Sequence, residues 1–268
     1  WLDAVRYGDT HGLHLDNRRG IFPYRDWVVR AFNQNQPLDE FITWQLAGDL
    51  LPKPTLAQLV ATGFVRMNPS TAEGGAIPEE FQAKNNFDRV ETLGTALLGM
   101  SLTCARCHTH KFDPIPQTEY YRLMAFFNST AEPSMDGNRY EYGPTIMAPA
   151  NHSAWDSWDA IQVEARAITI DQAKILETAN AFVEKSEQKE KSEAKKWNKA
   201  KPQDRLKQVA DPKGIFKDLP IHKEAGALLK RMDAMKGKMT TTLVAKDLSK
   251  PRVTKLLERG EYNLPKGE

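Results

Sequence analysis

The sequence predicts a mainly α-helical protein: an irregular helical domain built around a C-x-x-C-H motif, with a long antiparallel helical hairpin projecting from it. Three observations carry this prediction. Residues 22–127 contain aromatic-rich segments at helical spacing, punctuated by prolines. Ile161, Ala165, Ile168, Ile175, Ala179 and Phe182 follow the three-and-four spacing of one helix seam, and Ala225, Leu228, Leu229, Met232 and Met235 form a second stripe. Strand-like composition is confined to Thr240–Val244.

In chain order, Leu2–Tyr7 reads as the interior of a helix, so the chain looks cut at its start. A helix is expected from Tyr24 to Phe32 after Pro23. A second runs from Leu38 to Leu51 and stops at Pro52 and Pro54. A third follows Thr55, with Leu56, Leu59, Val60 and Phe64 on one side. Gly74, Gly75 and Pro78 mark a loop. Glu79–Met100 then reads as a helix with Phe87, Val90, Leu93, Leu97 and Leu98 inward, ending just before the motif. Pro114 and Pro116 impose an extended turn, and Glu119–Phe127 resumes as helix. The two stripes are expected to pack together, leaving the charged run Glu184–Lys201 as an exposed tip. This divides the chain into a helical domain at 1–150, a hairpin insertion at 151–239 and a return segment at 240–268. The return segment ends in turn-forming residues, so further domains of the same chain are expected at both ends.

Composition limits the function classes. Of 268 residues 40% are hydrophobic, and 37 Lys and Arg against 35 Asp and Glu leave a formal charge of +2. A nucleic-acid binder would carry a larger basic excess, so none is expected as partner. No apolar run approaches the roughly 20 residues that span a bilayer, so no membrane span is predicted.

Both cysteines lie in Cys104-Ala105-Arg106-Cys107-His108, the attachment pattern of c-type haem. Such a pentamer arises by chance in roughly one chain in a thousand of this length, which makes it the most specific chemical signal present. In this reading Cys104 and Cys107 form thioethers to the haem, and His108 is the proximal ligand to its iron. Met67 is the favoured distal ligand, because Arg66-Met67-Asn68 precedes the glycine loop leading to the motif. His110 is expected to hydrogen-bond within the loop shaped by Lys111, Asp113 and Pro114. A zinc or iron centre on Cys104, Cys107 and His110, with His108 or Asp113 as a fourth ligand, is the alternative; a plain dithiol pair is a third reading. Glu73, Glu79, Glu80, Asp88 and Arg89 could line a substrate site, or serve as helix-start charges and a surface Asp88–Arg89 pair.

The strings WLDAVRYGDT, PYRDWVVRAFNQNQPLDEFITWQLAGDLLP, EGGAIPEEF and CARCHTHKFDPIPQTEYYRLMAFFN resemble those of large planctomycete proteins that join a cytochrome-c-type domain to two successive domains of unknown function. The resemblance covers residues 1–130 strongly, and the last 28 residues resemble the segment leading into the second unknown domain. It implies a periplasmic or secreted location and haem at Cys104, Cys107 and His108, but no reaction. Where that family has Asp after the motif histidine, this chain has Thr109. The expected function is extracytoplasmic electron transfer with an unidentified redox partner. A haem- or metal-dependent enzyme and a metal-stabilised interaction module are the alternatives.

Overall fold

The structure, a computed structural model, describes residues 1–185 and 192–267. It is mostly helical and divides into two compact units, Trp1–Ala148 with Thr241–Glu268, and Pro149–Thr240.

In the first unit, Leu2–Tyr7 forms a single turn rather than a helix. Val5 N–H reaches Trp1 O at 3.1 Å, but Arg6 adopts φ 57°, a left-handed conformation that an α-helix cannot continue through. Helix α1 (Phe22–Asn33) starts with Pro in its first turn, where a missing N–H costs nothing, and buries Tyr24, Trp27, Val28 and Ala31. Helix α2 (Leu38–Ala47) follows Pro37 with Asp39 and Glu40 at its positive end. Trp27 stacks on Phe41, ring centroids 5.2 Å apart. The buried Gln45 accepts hydrogen bonds from Tyr24 Oη at 2.6 Å and Trp1 Nε1 at 3.1 Å.

Helix α3 (Leu56–Ala61) opens with a Thr55–Gln58 capping box. Its start crosses the end of α2 so closely that a Cβ on Gly48 would lie 2.2 Å from Gln58 O. That neighbour is backbone and cannot rotate away, so Gly48→Ala is expected to destabilise the protein by about 1–3 kcal/mol. The urea midpoint of the variant against wild type measures this, and an unchanged midpoint would show that the α2–α3 crossing relaxes freely.

Helix α4 (Pro78–Leu93) and α5 (Gln117–Asn128) pack together around Phe87, Tyr120 and Met124. After α4 the chain widens into a π turn at Gly94–Leu98. The extra residue per turn shifts the helical register, so Leu98, expected inward, faces solvent.

Much of this unit is irregular, and buried arginines satisfy the backbone that a sheet would otherwise pair. Arg66 donates to Tyr142 O at 2.8 Å and Val244 O at 3.0 Å, and lies over the Tyr142 ring. Arg19 donates to the carbonyls of Arg66, Met67 and Asn68. Arg89 donates to Val65 O at 2.9 Å and is ion-paired with buried Glu132. The planar guanidinium, with five donors and weak hydration, suits this role. Arg89 is therefore not half of a surface pair with Asp88, which instead meets Arg6. Strands β1 (Thr145–Pro149) and β2 (Met239–Leu243) pair as a two-stranded sheet, and β3 (Leu256–Leu257) pairs antiparallel with β4 (Pro265–Gly267).

The second unit holds α6 (His152–Asp156), α7 (Trp158–Lys185), α8 (Ser192–Lys199), α9 (Pro202–Val209) and α10 (Pro220–Lys236). Ile161, Ile168, Ile175 and Ala179 of α7 share one core with Ala225, Leu228 and Met235 of α10. The two helices run in opposite directions: Arg231 meets Glu164 and Asp171, while Glu224, earlier on α10, shares a cleft with Ile175, later on α7. The segment expected as an exposed tip is not uniformly so. Residues 186–191 lie outside the described residues, but Trp197 is only 1% exposed, with its Nε1 donating to Asn180 Oδ1 at 2.9 Å. A lone indole in a charged helix gains more from an apolar neighbour than from water, and here Phe216 supplies it at 5.0 Å.

Candidate functional site

The π turn ends at Gly99 in the left-handed conformation. Gly94 admits Leu102 so closely that a Cβ there would lie 2.7 Å from Leu102 Cγ. This close packing fixes the start of the 3-10 turn Thr103–Arg106. Cys107 N–H and His108 N–H both reach back to Cys104 O, at 3.3 and 3.4 Å. Cys104, Cys107 and His108 thus hang from one tight turn, with Ala105 buried beneath them. Both thiols are free; Cys104 is exposed and Cys107 half-buried.

The turn is held from two sides. Tyr121 Oη and Gln117 Nε2, both on α5, each donate to Arg106 O at 3.0 Å. The C-terminal ribbon closes the other side: Gln117 Nε2 also reaches Leu257 O, and Cys107 Sγ–H donates to Arg259 O at 3.1 Å. Arg259 sits at φ 51°, which turns its carbonyl towards the thiol side of the loop.

The two histidines near the cysteines have opposite tautomers. His108 Nδ1 lies 2.8 Å from Thr109 O. A carbonyl only accepts, so Nδ1 carries the proton and Nε2 presents its lone pair to solvent. At His110 the backbone N–H groups of Asp113 and Phe112 point at Nδ1, at 2.8 and 3.3 Å. Two donors claim that lone pair, which leaves the proton on Nε2. Asp113 Oδ2 lies 3.2 Å from the same Nδ1, but with the lone pair so occupied this is proximity rather than an ion pair. His110 hydrogen-bonds within the loop, as expected.

Behind the motif lies a polar cluster that no local sequence pattern announces. The Arg106 guanidinium lies over the Phe87 ring at 5.0 Å and 3.5 Å from Glu91. Burial raises the Glu91 carboxyl above its ordinary value despite that cation. Among the described residues the buried Tyr120 Oη has no hydrogen-bond partner, and burial raises its pKa well above that of a free phenol. Burial pushes Tyr121 up to about 12. Both tyrosines therefore stay neutral donors at physiological pH.

The remaining sequence-predicted residues are scattered. Met67 is 2% exposed and packed in the core, its carbonyl held by Arg19. His108 stands in solvent, so that core would have to open before the Met67 thioether shared a ligand with it. Glu79 and Glu80 occupy the first turn of α4, Glu73 is exposed, and Glu80 pairs with Lys84 along the helix. Glu73 and Glu80 are surface and helix-start charges, while Glu79 also lines a cleft with Asn86, Lys255 and Leu257. Among the described residues no group of three or more His, Cys, Asp or Glu side chains is placed to hold a metal ion. The Cys104–Cys107–His110 set is accordingly not gathered, and backbone donors occupy His110 Nδ1. Among the described residues no helix is long and apolar enough to cross a membrane.

The residues fit a c-type haem in three respects: two free thiols at the required spacing, an adjacent imidazole with Nε2 unengaged, and a carbonyl fixing that tautomer. Residues 1–132, spanning α1 to α5 and the motif, match the family model PSCyt2, described as a protein of unknown function (DUF1549). No curated protein and no solved structure matches the chain.

Proposed function

We propose that the chain is an extracytoplasmic, periplasmic or secreted electron-transfer protein, an irregular helical domain carrying haem c on its C-x-x-C-H turn. The observation that carries this reading is the His108 tautomer. Donation from Nδ1–H to Thr109 O leaves Nε2 as a ligand of defined orientation beside two free thiols. The sequence resemblance to planctomycete cytochrome-associated proteins supports the same reading, and the antiparallel α7–α10 pair would be its projecting hairpin.

Haem supplies a one-electron iron couple when bound. Everything else falls to the chain. Cys104 and Cys107 would hold the haem as thioethers, and His108 Nε2 would supply the proximal nitrogen to its iron. Cys107 must first release Arg259 O, whereas Cys104 needs no such exchange. Tyr121 and Gln117 keep the turn in place through Arg106 O. Exposed Phe112 and Leu98, on the two flanks of the motif, offer apolar surface to a ring that would otherwise face water.

Expression with a cytochrome c maturation system tests this directly. Haem staining is expected to survive a denaturing gel and to weaken in Cys104→Ser and Cys107→Ser. His108→Ala is expected to change the visible spectrum and spin state. His110→Ala, which removes only a loop hydrogen-bond acceptor, is expected to leave both close to wild type. Stain-free wild-type protein, or haem retention that depends on His110 and not on His108, would overturn the assignment.

A further inference from the structure

Away from the motif, the first unit contains a second built feature. The end of α2, the turn through Val65, the last residues of α4, α5 and the return segment enclose a cleft of about 350 Å³. That volume lies within the range of small-molecule sites, and the walls have their composition, being apolar with a few polar groups. Val65, Leu93 and Phe127 form the floor, while Leu50 and Phe126, 62% and 77% exposed, stand at the rim.

Two carboxylates, Asp49 and Asp247, also line this apolar cleft. Among the described residues neither has an ion-pair partner, and no cation enters the electrostatic surroundings of either. Desolvation raises both above ordinary carboxyl values. The Asp247 charge raises Asp49 further, and the Glu132 charge does the same to Asp247. The position of Asp247 is set by the backbone around it. Ala245 N–H donates to Thr62 Oγ1 at 2.9 Å, Ala131 N–H to Lys246 O at 2.7 Å, and Leu248 N–H to Ser129 O at 2.8 Å. Asp247 is exposed and Asp49 half-buried, so water reaches both, and two like charges beside apolar walls with no counter-ion create a local negative potential that favours a cation. An inorganic cation would leave the apolar walls unused, and a neutral apolar molecule would leave the carboxylates uncompensated.

We propose that this cleft binds a small organic ammonium ion, its charged nitrogen between Asp49 and Asp247 and its apolar body against Val65, Leu93 and Phe126. The occupant is a protonated primary amine on an alkyl or aryl body.

The test titrates the full chain with phenethylammonium and hexylammonium, following backbone amide shifts, with 2-phenylethanol and 3-phenylpropionate as neutral and anionic matches. Binding at millimolar concentration is expected for both amines, with shifts confined to cleft residues. Loss of one charge-assisted hydrogen bond in Asp49→Asn or Asp247→Asn is expected to weaken it about tenfold. Phe126→Ala, at an exposed position, is expected to weaken it several-fold. Should Asp247→Asn fail to fold, Asp49→Asn carries the same comparison. No shift with either amine, equal affinity for 2-phenylethanol, or an unaltered affinity in the folded carboxamide variants would overturn the proposal. None of these outcomes depends on haem.

Discussion

Glu132→Ala is expected to destabilise the first unit by about 3–5 kcal/mol, because it strips the counter-charge from buried guanidinium groups. Glu132 is ion-paired with Arg89, accepts from Thr130 Oγ1 at 2.8 Å, and also feels the charge of Arg66. Both arginines are almost wholly buried. The Arg6–Asp88 pair provides the comparison. It is partly exposed, so Asp88→Asn is expected to cost below about 1 kcal/mol. Native-state hydrogen exchange at α4 amides measures both variants without involving the second unit.

The acid limb follows from the same carboxylate. Burial alone would raise its pKa, but Arg89, Arg66 and Thr130 outweigh burial and hold it below the ordinary glutamate value. A depressed folded pKa means stability that is present above the unfolded value and lost as pH falls through the folded one. Wild-type stability is therefore expected to fall on acidification below the usual glutamate range, more steeply than in Glu132→Ala. Parallel acid limbs in the two proteins would contradict the assignment.

In the second unit the largest expected effect is at Trp197. Removing a fully buried indole leaves a cavity between α7 and Phe216, and Trp197→Ala is expected to cost about 3–5 kcal/mol. Trp197→Phe keeps most of the volume and loses only the bond to Asn180, so about 1 kcal/mol is expected. Limited proteolysis provides the readout. Cleavage within residues 192–209 is expected to accelerate sharply in the alanine variant and little in the phenylalanine one. Equal rates in all three proteins would show that α8 is held by something other than its tryptophan.

The helices were largely legible in the sequence because their signals are local. Pro23, Pro37, Thr55 and Pro78 mark starts that the structure keeps within two residues, and the isoleucine seam of α7 faces the core as its spacing requires. The motif was legible for the same reason, since its chemistry sits in five consecutive residues. What escaped depends on partners far along the chain. Arg89 looks like any helix-surface charge until Glu132 folds against it. Trp197 looks exposed because its neighbours in sequence are charged, and only Phe216 shows otherwise. The Arg259 carbonyl on the Cys107 thiol comes from 152 residues away, and no periodicity reports a backbone oxygen. The His108 and His110 tautomers depend on loop geometry that residue types alone do not dictate.

The second unit also bears on how the first can assemble. Arg66 binds Val244 O across 178 residues of sequence, and Thr62 binds Ala245 N–H across 183. If the intervening chain were unstructured, closing it would cost loop entropy that grows by about 0.6 kcal/mol for each doubling of length. Residues 149–240, once folded with Ala150 N–H 3.0 Å from Lys238 O, shorten that loop by roughly half and so recover about 0.6 kcal/mol of it. The two ends emerge side by side, so for the pairing of β1 with β2 the insertion is equivalent to a short turn. A chain that folds its insertion first brings β1 and β2 together locally and leaves residues 67–148 as the loop still to close before Val244 and Ala245 reach their partners.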